Sequence, residues 1–484
     1  MPPVIVWFRR NLRLCDNAAL IAAADSGCPI VPVYVLDELD CGGASRWWLH
    51  FSLERLDKDL KRRHSRLILR RGRPERVLAE IAASTGAAAI YYARRYEPLA
   101  RAQESRLGEL LGDSLDIHPY DDYLLRGPSA PKTQSDTPFK VFTPYWKASV
   151  GLGDPPLPSP APSPLQTATD GVASLALDEL ALLPTSPDWA QGLRDTWTPG
   201  EDGAAARLDV ACTAVKDYAD GRDRPDRDLT SKLSPHLHFG ELSPRQVWHA
   251  VKAANLAAAR SRGAEAFLRQ LYWRDFSHYL LFHFPDLPEK PLREEFEHFP
   301  WHENAAALEA WQCGWTGFPI VDAGMRQLWA TGWMHNRVRM IVASFLVKDL
   351  MIPWQQGADW FLDTLVDADL GNNSASWQWV AGCGTDAAPY FRIFNPTLQG
   401  KKFDPNGDYI RRWVPELAQL PAEAIHEPRA AERDLLDSAG QRLGVDYPEP
   451  IVNHAAARNE ALAAYQSMRD LLKSPAASPG SSVG

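Results

Sequence analysis

The sequence lacks the cysteine pattern of a disulfide scaffold or of a zinc ribbon. Its 484 residues include only 6 cysteines, which lie far apart and form no CxxC pair. Both kinds of site need thiols that are paired or closely spaced. The scarcity of cysteine therefore predicts a protein of a reducing compartment, which we expect to be cytoplasmic, and we expect no metal site. The cysteines are Cys15, Cys28, Cys41, Cys212, Cys313 and Cys383.

Long apolar runs are also missing. No stretch approaches the roughly 20 apolar residues that cross a bilayer, and residues 1–6 contain no basic region that leads into an apolar segment. We therefore expect a soluble protein without a membrane partner, and a monomer. A strong positive charge is absent too, because 61 acidic residues outnumber 52 basic ones and the net charge is -9. This sum argues against a broadly basic nucleic-acid binder but says little about a local groove.

Tryptophan, in contrast, is abundant. The chain contains 18 tryptophans, 14 tyrosines and 17 phenylalanines. Tryptophan combines a large apolar surface with an N–H group that needs a partner, so the excess indicates either interfaces or an aromatic site. A helical core rich in tryptophan is the alternative.

The first 130 residues predict an α/β domain with a parallel, Rossmann-like sheet. Short apolar runs at 4–8, 30–36, 67–69 and 88–92 alternate with helical spacing at 46–63 and 97–111. The turn after the first run reads Arg-Arg-Asn-Leu-Arg at 9–13, without the G-x-G-x-x-G pattern. The usual grip on a dinucleotide is therefore absent from this domain.

The rest of the chain predicts a linker and a helical domain. Residues 131–200 lose periodicity, and 155–164 alone contain 6 prolines, so we interpret them as a surface connection between domains. Residues 201–470 have a helical period almost throughout, notably at 264–284, 303–313, 319–331, 334–350 and 355–366. Residues 471–484 are of low complexity, and we expect a disordered tail.

Two segments of the helical domain carry candidate chemistry. Residues 230–234 place three hydroxyls before helical sequence, where they could meet a phosphate, although ordinary capping explains them as well. On the predicted helix 264–284, Gln270, Trp273 and Arg274 share one face. An indole beside an amide suits a flat heterocycle, whereas a tryptophan packed in the core is the alternative.

Charged and amide side chains are concentrated in the C-terminal half. Asn336, Arg339 and Met340 point the same way on the predicted helix 334–350, and Asp367 and Asp369 could pair with its arginines. A purely structural ion pair is the alternative. Arg392, Lys401, Lys402, Arg411 and Arg412 outnumber the acids around them and could form a phosphate-contacting rim or simply a solvated face.

Taken together, these segments resemble the photolyase and cryptochrome family, and most closely the class I cyclobutane pyrimidine dimer photolyases. The resemblance runs from residue 4 to about residue 417, and its most specific stretches are 317–326, 331–340 and 385–396. It implies an α/β antenna domain at 1–130, a linker at 131–200, and an all-α domain at 201–470 that binds FAD. It also implies blue-light chemistry, with the flavin active in its reduced anionic form, FADH-.

The resemblance assigns site residues by position. Asn373 would face the flavin N5, where plant cryptochromes typically place aspartate and animal ones cysteine, so asparagine resembles photolyases. A neutral amide and a carboxylate beside N5 favour different protonation and redox states of the flavin. The residues expected to bind FAD are Tyr218, Thr230, Ser231, Lys232, Leu233, Ser234, Gln270, Arg274, Asn336, Arg339, Asp367, Asp369 and Asn373.

The resemblance also implies an electron-transfer chain and a DNA surface. Trp377, Trp354 and Trp301 would carry electrons between the flavin and the protein surface. Six-four photolyases have histidines where this chain has Asn336 and Met340, so cyclobutane dimers are the favoured lesion. The residues expected to act on the dimer are Gln270, Trp273, Met340 and Asn373, and those expected to contact DNA are Arg222, Trp273, Asn336, Arg337, Met340 and Arg392.

The sequence departs from the family pattern at two places. Gln270 stands where these photolyases usually have a glutamate that hydrogen-bonds the dimer. After Glu97 the chain reads Pro-Leu-Ala, without the Asn-Glu pair of a folate antenna, so a deazaflavin, a second flavin, a folate or an empty site all stay open. We expect a light-driven lyase that repairs DNA carrying pyrimidine dimers. A blue-light photoreceptor of the cryptochrome type is the alternative, and a two-electron flavin oxidoreductase would need a nicotinamide motif that the sequence does not offer.

Overall fold

The structure is a computed structural model that describes residues 1–37, 42–133, 135–257, 261–386 and 392–473. The chain forms two compact units. The first comprises Met1–Pro285, Gln327–His335 and Asp359–Ser374, and the second comprises Asp286–Arg326, Asn336–Ala358 and Ala375–Gly484. The domain limits at 130 and 200 that the sequence suggests stay predictions.

A parallel five-stranded sheet organises the start of the first unit. The strand order is β3-β2-β1-β4-β5, and Ile5 pairs with Val31 on one side and with Ile90 on the other. All five residues of β1 are buried, as expected for a central parallel strand that is covered on both faces. The predicted parallel α/β fold is confirmed, and β5 is a strand that the sequence patterns did not predict. The strands are β1 Val4–Phe8, β2 Ile30–Leu36, β3 Ile68–Arg71, β4 Ala89–Ala93 and β5 Asp116–Tyr120.

The described residues of the segment 131–200 include regular structure. They include a helix, Phe142–Gly151, in which Phe142, Tyr145 and Ser149 are buried along one side. Further on, the backbone pairs with the first residue of β2, because Ile30 N donates to Gln166 O at 2.9 Å and Ala168 N donates to Ile30 O at 3.0 Å. The expectation of an irregular connection was therefore incomplete, since a short helix buried on one side leaves too brief a periodic signal.

The predicted all-helical second half is confirmed, and helical boundaries agree closely with the sequence patterns. The pattern at 264–284 corresponds to the helix Arg262–His283, which begins after Ser261, whose side chain accepts the Ala264 N–H. The pattern at 334–350 divides into an α-helix, Asn336–Ser344, and a π-helical turn, Phe345–Asp349. The last helix continues to Lys473, so the predicted tail at 471–484 starts inside it, and residues 474–484 lie outside the described residues.

In chain order the α-helices are α1 Ala18–Asp25, α2 Gly43–Lys61, α3 Pro74–Thr85, α4 Pro98–Leu111, α5 Phe142–Gly151, α6 Gln191–Thr196, α7 Glu201–Ala214, α8 Tyr218–Gly221, α9 Ser234–Phe239, α10 Pro244–Ala257, α11 Arg262–His283, α12 Ala305–Cys313, α13 Pro319–Thr331, α14 Asn336–Ser344, α15 Trp354–Thr364, α16 Leu370–Ala381, α17 Pro396–Phe403, α18 Asp408–Trp413, α19 Ala422–Ile425, α20 Arg433–Ser438 and α21 His454–Lys473. Of these, none is both long and apolar enough to cross a membrane.

Candidate functional site

The hydroxyl-rich segment 230–234 forms a loop that leads into α9. Arg207 of α7 holds its backbone, because Nε donates to Ser231 O at 2.7 Å and Nη2 donates to Thr230 O at 3.3 Å. Lys232 has a positive φ of 51° and its ammonium group donates to Asp228 at 2.9 Å. Arg207 therefore holds the backbone of the loop, and Asp228 holds the side chain of Lys232.

The hydroxyls of this loop fit a phosphate-bearing group. Within the described part of the chain, the Thr230 and Ser234 hydroxyls have no hydrogen-bond partner. Leu233 occupies the N-cap of α9 and no side chain caps that helix, so the capping explanation from the sequence does not account for them. Hydroxyls of this kind can donate hydrogen bonds to the oxygens of a phosphate, so their predicted contact with the FAD diphosphate stays a prediction.

Residues of α8 and α11 meet next to one another. The Arg222 guanidinium lies over the Tyr218 ring at 5.6 Å, and its Nη2 donates to Gln270 Oε1 at 3.3 Å. The Gln270 amide nitrogen donates to Ala266 O, one helical turn back, at 3.0 Å. The structure thus brings together three predicted residues: Tyr218 for FAD, Gln270 for the dimer and Arg222 for DNA.

Trp273 is exposed and supported from one side. Trp273 is 36% exposed. The ring of Phe142, in α5, stacks parallel to the Trp273 indole, with 3.6 Å between the ring centroids and 8° between the ring planes. The alternative of a tryptophan packed in the core is therefore wrong. A rigid indole with one covered face can offer the remaining surface to a flat ligand.

Arg274 is committed to the protein. Its Nη1 donates to Tyr123 O at 2.7 Å, its Nη2 donates to Leu237 O at 3.2 Å, and its guanidinium lies 4.2 Å from the centre of the Tyr123 ring. This arginine ties α11 to the end of α9 and to the chain after β5. Its predicted contact with FAD stays a prediction.

Asp369 caps the helix that carries Asn373. Its Oδ1 accepts the backbone N–H of Asn372 at 2.8 Å and the Asn372 side-chain amide at 2.7 Å. Its Oδ2 accepts the Tyr123 hydroxyl at 3.0 Å and lies 3.0 Å from His278 Nε2. Burial opposes ionisation, but His278 and His238 outweigh it and hold the pKa of Asp369 well below its usual range. Asp367, two residues earlier, is also buried.

The remaining predicted contacts for DNA and flavin lie in the second unit. On α14, Asn336 is exposed, and Arg337, Arg339 and Met340 are half-buried. The Arg337 guanidinium lies over the Phe403 ring at 4.4 Å. Arg392 is exposed, whereas residues 387–391 of the family stretch 385–396 lie outside the described residues.

The three predicted electron-transfer tryptophans all belong to the second unit. Trp377 and Trp354 are buried, and Trp301 is half-buried. Gly357 of α15 lies directly against the Trp377 ring, since a Cβ at that position would come within 2.6 Å of Trp377 Cζ3. This gradient of burial suits a path from an interior cofactor to the surface, and the path itself stays a prediction.

Sequence reasoning missed several side chains around these residues. Trp311 is fully buried and its ring lies 6.2 Å from that of Trp377. Tyr123 and His278, both partners of Asp369, are 246 and 91 positions from it in the chain. No local sequence pattern identifies Tyr123 or His278 as a partner of Asp369. The sequence likewise contains nothing that distinguishes Trp311 from the other tryptophans.

Family models match both halves of the chain. A model described as DNA photolyase matches residues 4–163, and a model described as the FAD binding domain of DNA photolyase matches residues 267–467. The second match covers most of α11 and all of α14 and α16, which carry Gln270, Trp273, Arg274, Asn336, Arg339, Met340 and Asn373.

Individual proteins match over nearly the full length. The chain is 49% identical to the deoxyribodipyrimidine photo-lyase of Agrobacterium fabrum, over 96% of this chain and 98% of that protein. It is 38% identical to cryptochrome-1 of Arabidopsis thaliana, over 93% of this chain and 68% of that protein.

A solved structure agrees with the fold as well. The crystal structure of a bacterial class III photolyase from Agrobacterium tumefaciens superposes with a TM-score of 0.94 at 48% identity, and the match covers 97% of this chain and 98% of that one. The resemblance read from the sequence is thus confirmed by the match of both halves, by the identity and by the fold. The chain belongs to the DNA photolyase and cryptochrome family.

Proposed function

We propose that this protein is a light-driven DNA photolyase that splits cyclobutane pyrimidine dimers. The support is the family membership together with the surface that Trp273, Gln270 and Arg222 form in the first unit. When bound, FAD would supply the light-excited electron that opens the dimer and would recover it afterwards, without net redox change. Thr230, Ser231 and Ser234 of the first unit would hold its diphosphate, and Asp367 of the same unit would hold the flavin.

The exposed Trp273 ring is the observation that carries this proposal. An extrahelical dimer needs a flat apolar surface that replaces the stacking it loses on leaving the duplex. Phe142 supports the indole from behind, so the ring keeps its orientation before the ligand arrives. Gln270, one helical turn earlier, can offer an amide to the bases, and Arg222 beside it can neutralise a phosphate.

The direct test is a repair assay. The purified, reduced protein would be mixed with an oligonucleotide that carries a single thymine dimer, and thymine absorbance would be followed under near-UV to blue light. Restoration of absorbance in the light, with none in a dark control, is the expected result. Protein that binds FAD but leaves the dimer intact in the light would contradict the proposal.

Gln270 gives the alternative function its support. Its amide has no titratable proton, and it already bonds Arg222 and Ala266 O, so it differs from the glutamate that such photolyases usually carry. A photoreceptor of the cryptochrome type would reduce its flavin in light through Trp377 and would not repair dimers. The repair assay and flavin photoreduction, measured on one preparation, distinguish these two functions.

The class of photolyase and the antenna are finer proposals. The sequence resembles class I enzymes, whereas the 48% identity to a class III photolyase favours class III. A second chromophore stays a prediction whose identity is open among a deazaflavin, a flavin and a folate. Extraction of bound pigments from the purified protein, followed by mass spectrometry, would identify the second chromophore or show that none is bound.

A further inference from the structure

The carboxylate of Asp369 joins side chains from four different parts of the first unit. Tyr123 follows β5 and its hydroxyl lies 3.0 Å from Oδ2, while His278 of α11 places Nε2 at the same distance. His238 of α9 places Nδ1 at 3.7 Å from Oδ2, and Asn372 of α16 bonds Oδ1. All of the side chains around Oδ2 are buried.

The chemistry of these partners suits an ionised carboxylate. A hydroxyl, a ring N–H and an amide N–H all donate, and an ionised carboxylate has acceptor sites for each of them. His238 is neutral at physiological pH, because burial and the neighbouring Arg10 lower its pKa to about 4. Arg10 Nη1 lies 2.5 Å from His238 Nε2, so the guanidinium fixes the orientation of that imidazole.

Other charges surround this group. Arg95 and Glu97 form a buried ion pair in which Arg95 Nη2 lies 2.8 Å from Glu97 Oε1. Arg274 of α11 binds the backbone carbonyls of Tyr123 and Leu237. The charges near Asp369 are thus paired or hydrogen-bonded, and the carboxylate is held by directed bonds from several elements.

The elements around Asp369 also carry several residues of the predicted site. α9 begins with Ser234, one of the hydroxyls that suit the diphosphate. α11 carries Gln270 and Trp273, which are expected at the dimer, and α16 carries Asn373, which is expected at the flavin. The backbone N–H of Asn373 also donates to Asp369 O at 2.8 Å.

We propose that Tyr123 and His278 are positioning residues of the photolyase site. Both hydrogen-bond the Asp369 carboxylate, and they thereby hold the chain after β5, α11 and the first turn of α16 in the arrangement that the cofactor and the dimer require. The inference rests on the proposed function and adds residues that act through Asp369. A carboxylate bonded on both oxygens restricts three elements at once, which no hydrogen bond inside one helix can do.

Tyrosine variants give the first test. Tyr123→Phe removes one hydroxyl from Asp369 and keeps the ring, and Tyr447→Phe is the matched control, because the Tyr447 hydroxyl donates to the buried Asp322 at 2.5 Å in the second unit. Amide hydrogen exchange would be measured at Asn372, whose N–H Asp369 accepts. We expect exchange about tenfold faster in Tyr123→Phe, as for the loss of one hydrogen bond to a charged group, and no change in Tyr447→Phe.

Histidine variants with bound FAD give the second test. His278→Leu removes the donor to Asp369, whereas His278→Gln keeps an N–H group within similar reach. The measured quantities are the flavin absorption spectrum and its reduction potential. A change in the flavin spectrum or potential of His278→Leu that is absent from His278→Gln supports a positioning role. The reason is that replacement of a purely structural residue would change stability and leave the bound flavin unaltered.

Two results would overturn the inference. One is a flavin spectrum and potential that stay as in the wild type in both Tyr123→Phe and His278→Leu. The other is wild-type protein that does not bind FAD. Failure of the photolyase proposal has a different signature, since wild-type protein that binds FAD without repairing dimers ends that proposal and leaves the exchange and flavin measurements valid.

Discussion

At the residue scale, the ligand-binding capacity of the site depends on the few side chains that are not already bonded to other parts of the protein. Most polar groups around it already have partners, as the guanidinium of Arg274 and the carboxylate of Asp369 illustrate. Trp273 is an exception, because it is exposed although its neighbours on α11 are mostly buried. Exposed aromatic rings with a rigid support are typical of binding surfaces.

Replacement of this indole should weaken binding of damaged DNA selectively. Trp273→Ala removes the stacking surface, and we expect a loss of about 1 to 3 kcal/mol in binding of dimer-containing DNA, with a much smaller effect on undamaged DNA. Affinities would be measured by fluorescence anisotropy at fixed salt. Trp315→Ala is the control, because Trp315 is 43% exposed but lies in the second unit against Tyr447. Equal weakening of both DNAs would remove Trp273 from the lesion pocket.

A negative charge at position 373 should disfavour reduced flavin. Asn373→Asp would place a carboxylate near the expected flavin N5, which raises the free energy of the anionic reduced form by an amount on the order of 1 kcal/mol. We therefore expect a lower reduction potential in a redox titration. Ser376→Asp adds the same charge at an exposed position of the same helix and serves as the control. A potential that is unchanged in Asn373→Asp would contradict the predicted placement.

At the scale of elements, close approach between helices decides where the buried tryptophans lie. Gly357 lets α15 approach the Trp377 ring, and Leu346 borders the same position. A glycine within a helix costs stability compared with alanine, so it persists where a side chain would collide. Trp377 is held by this contact and by Trp311, whose ring N–H donates to Val342 O at 2.9 Å.

A methyl group at this position should therefore destabilise the second unit. Gly357→Ala would bring a Cβ within 2.6 Å of Leu346 Cδ2 and of Trp377 Cζ3, and we expect a loss of about 1 to 3 kcal/mol in the free energy of unfolding. Gly108→Ala is the matched control, since Gly108 lies in α4 with open space around its Cβ position. That variant should gain about 0.4 to 1 kcal/mol. Urea unfolding measures both, and equal stability of the two variants would contradict the packing described for Gly357.

At the scale of the whole molecule, buried ion pairs link stability to pH. Burial opposes ionisation of Glu97, but the charge and hydrogen bonds of Arg95 outweigh it and lower the pKa of Glu97 to about 2. In the unfolded chain the pKa of Glu97 would lie near its ordinary value of about 4.5, which is above the pKa of Glu97 in the folded protein. The stabilising contribution is therefore complete above pH of about 4.5 and is lost as the pH falls towards 2.

This linkage is measurable with one variant. The difference in the free energy of unfolding between the wild type and Glu97→Gln should be largest at neutral pH and should shrink below pH of about 4.5. Denaturant unfolding at several pH values gives this difference, and comparison of two proteins cancels the contributions of the other acidic groups. A difference that stays constant down to pH of about 3 would contradict the depressed pKa of Glu97.

Local sequence patterns predicted the positions of most strands and helices, but they did not predict which elements pack against one another. The apolar runs 4–8 and 30–36 coincide with β1 and β2, and the helical pattern 319–331 coincides with α13. Strand β5 escaped because its residues are at most half-buried and it contains Pro119, so it lacks the apolar run of its neighbours. The alternatives for Trp273 could not be resolved, because its exposure depends on how α5 and α11 pack.

The sequence by itself determined the parallel α/β class of the first domain, the helical second half and the family. These follow from side-chain periodicity and from contiguous motifs, which are properties of neighbouring residues. Only the tertiary structure decided that Asp369 is bonded by Tyr123 and His278, that Phe142 covers one face of Trp273, and that Arg274 binds backbone carbonyls. Those contacts join positions as far as 246 residues apart. Their formation depends on how whole elements pack, a quantity that no local pattern encodes.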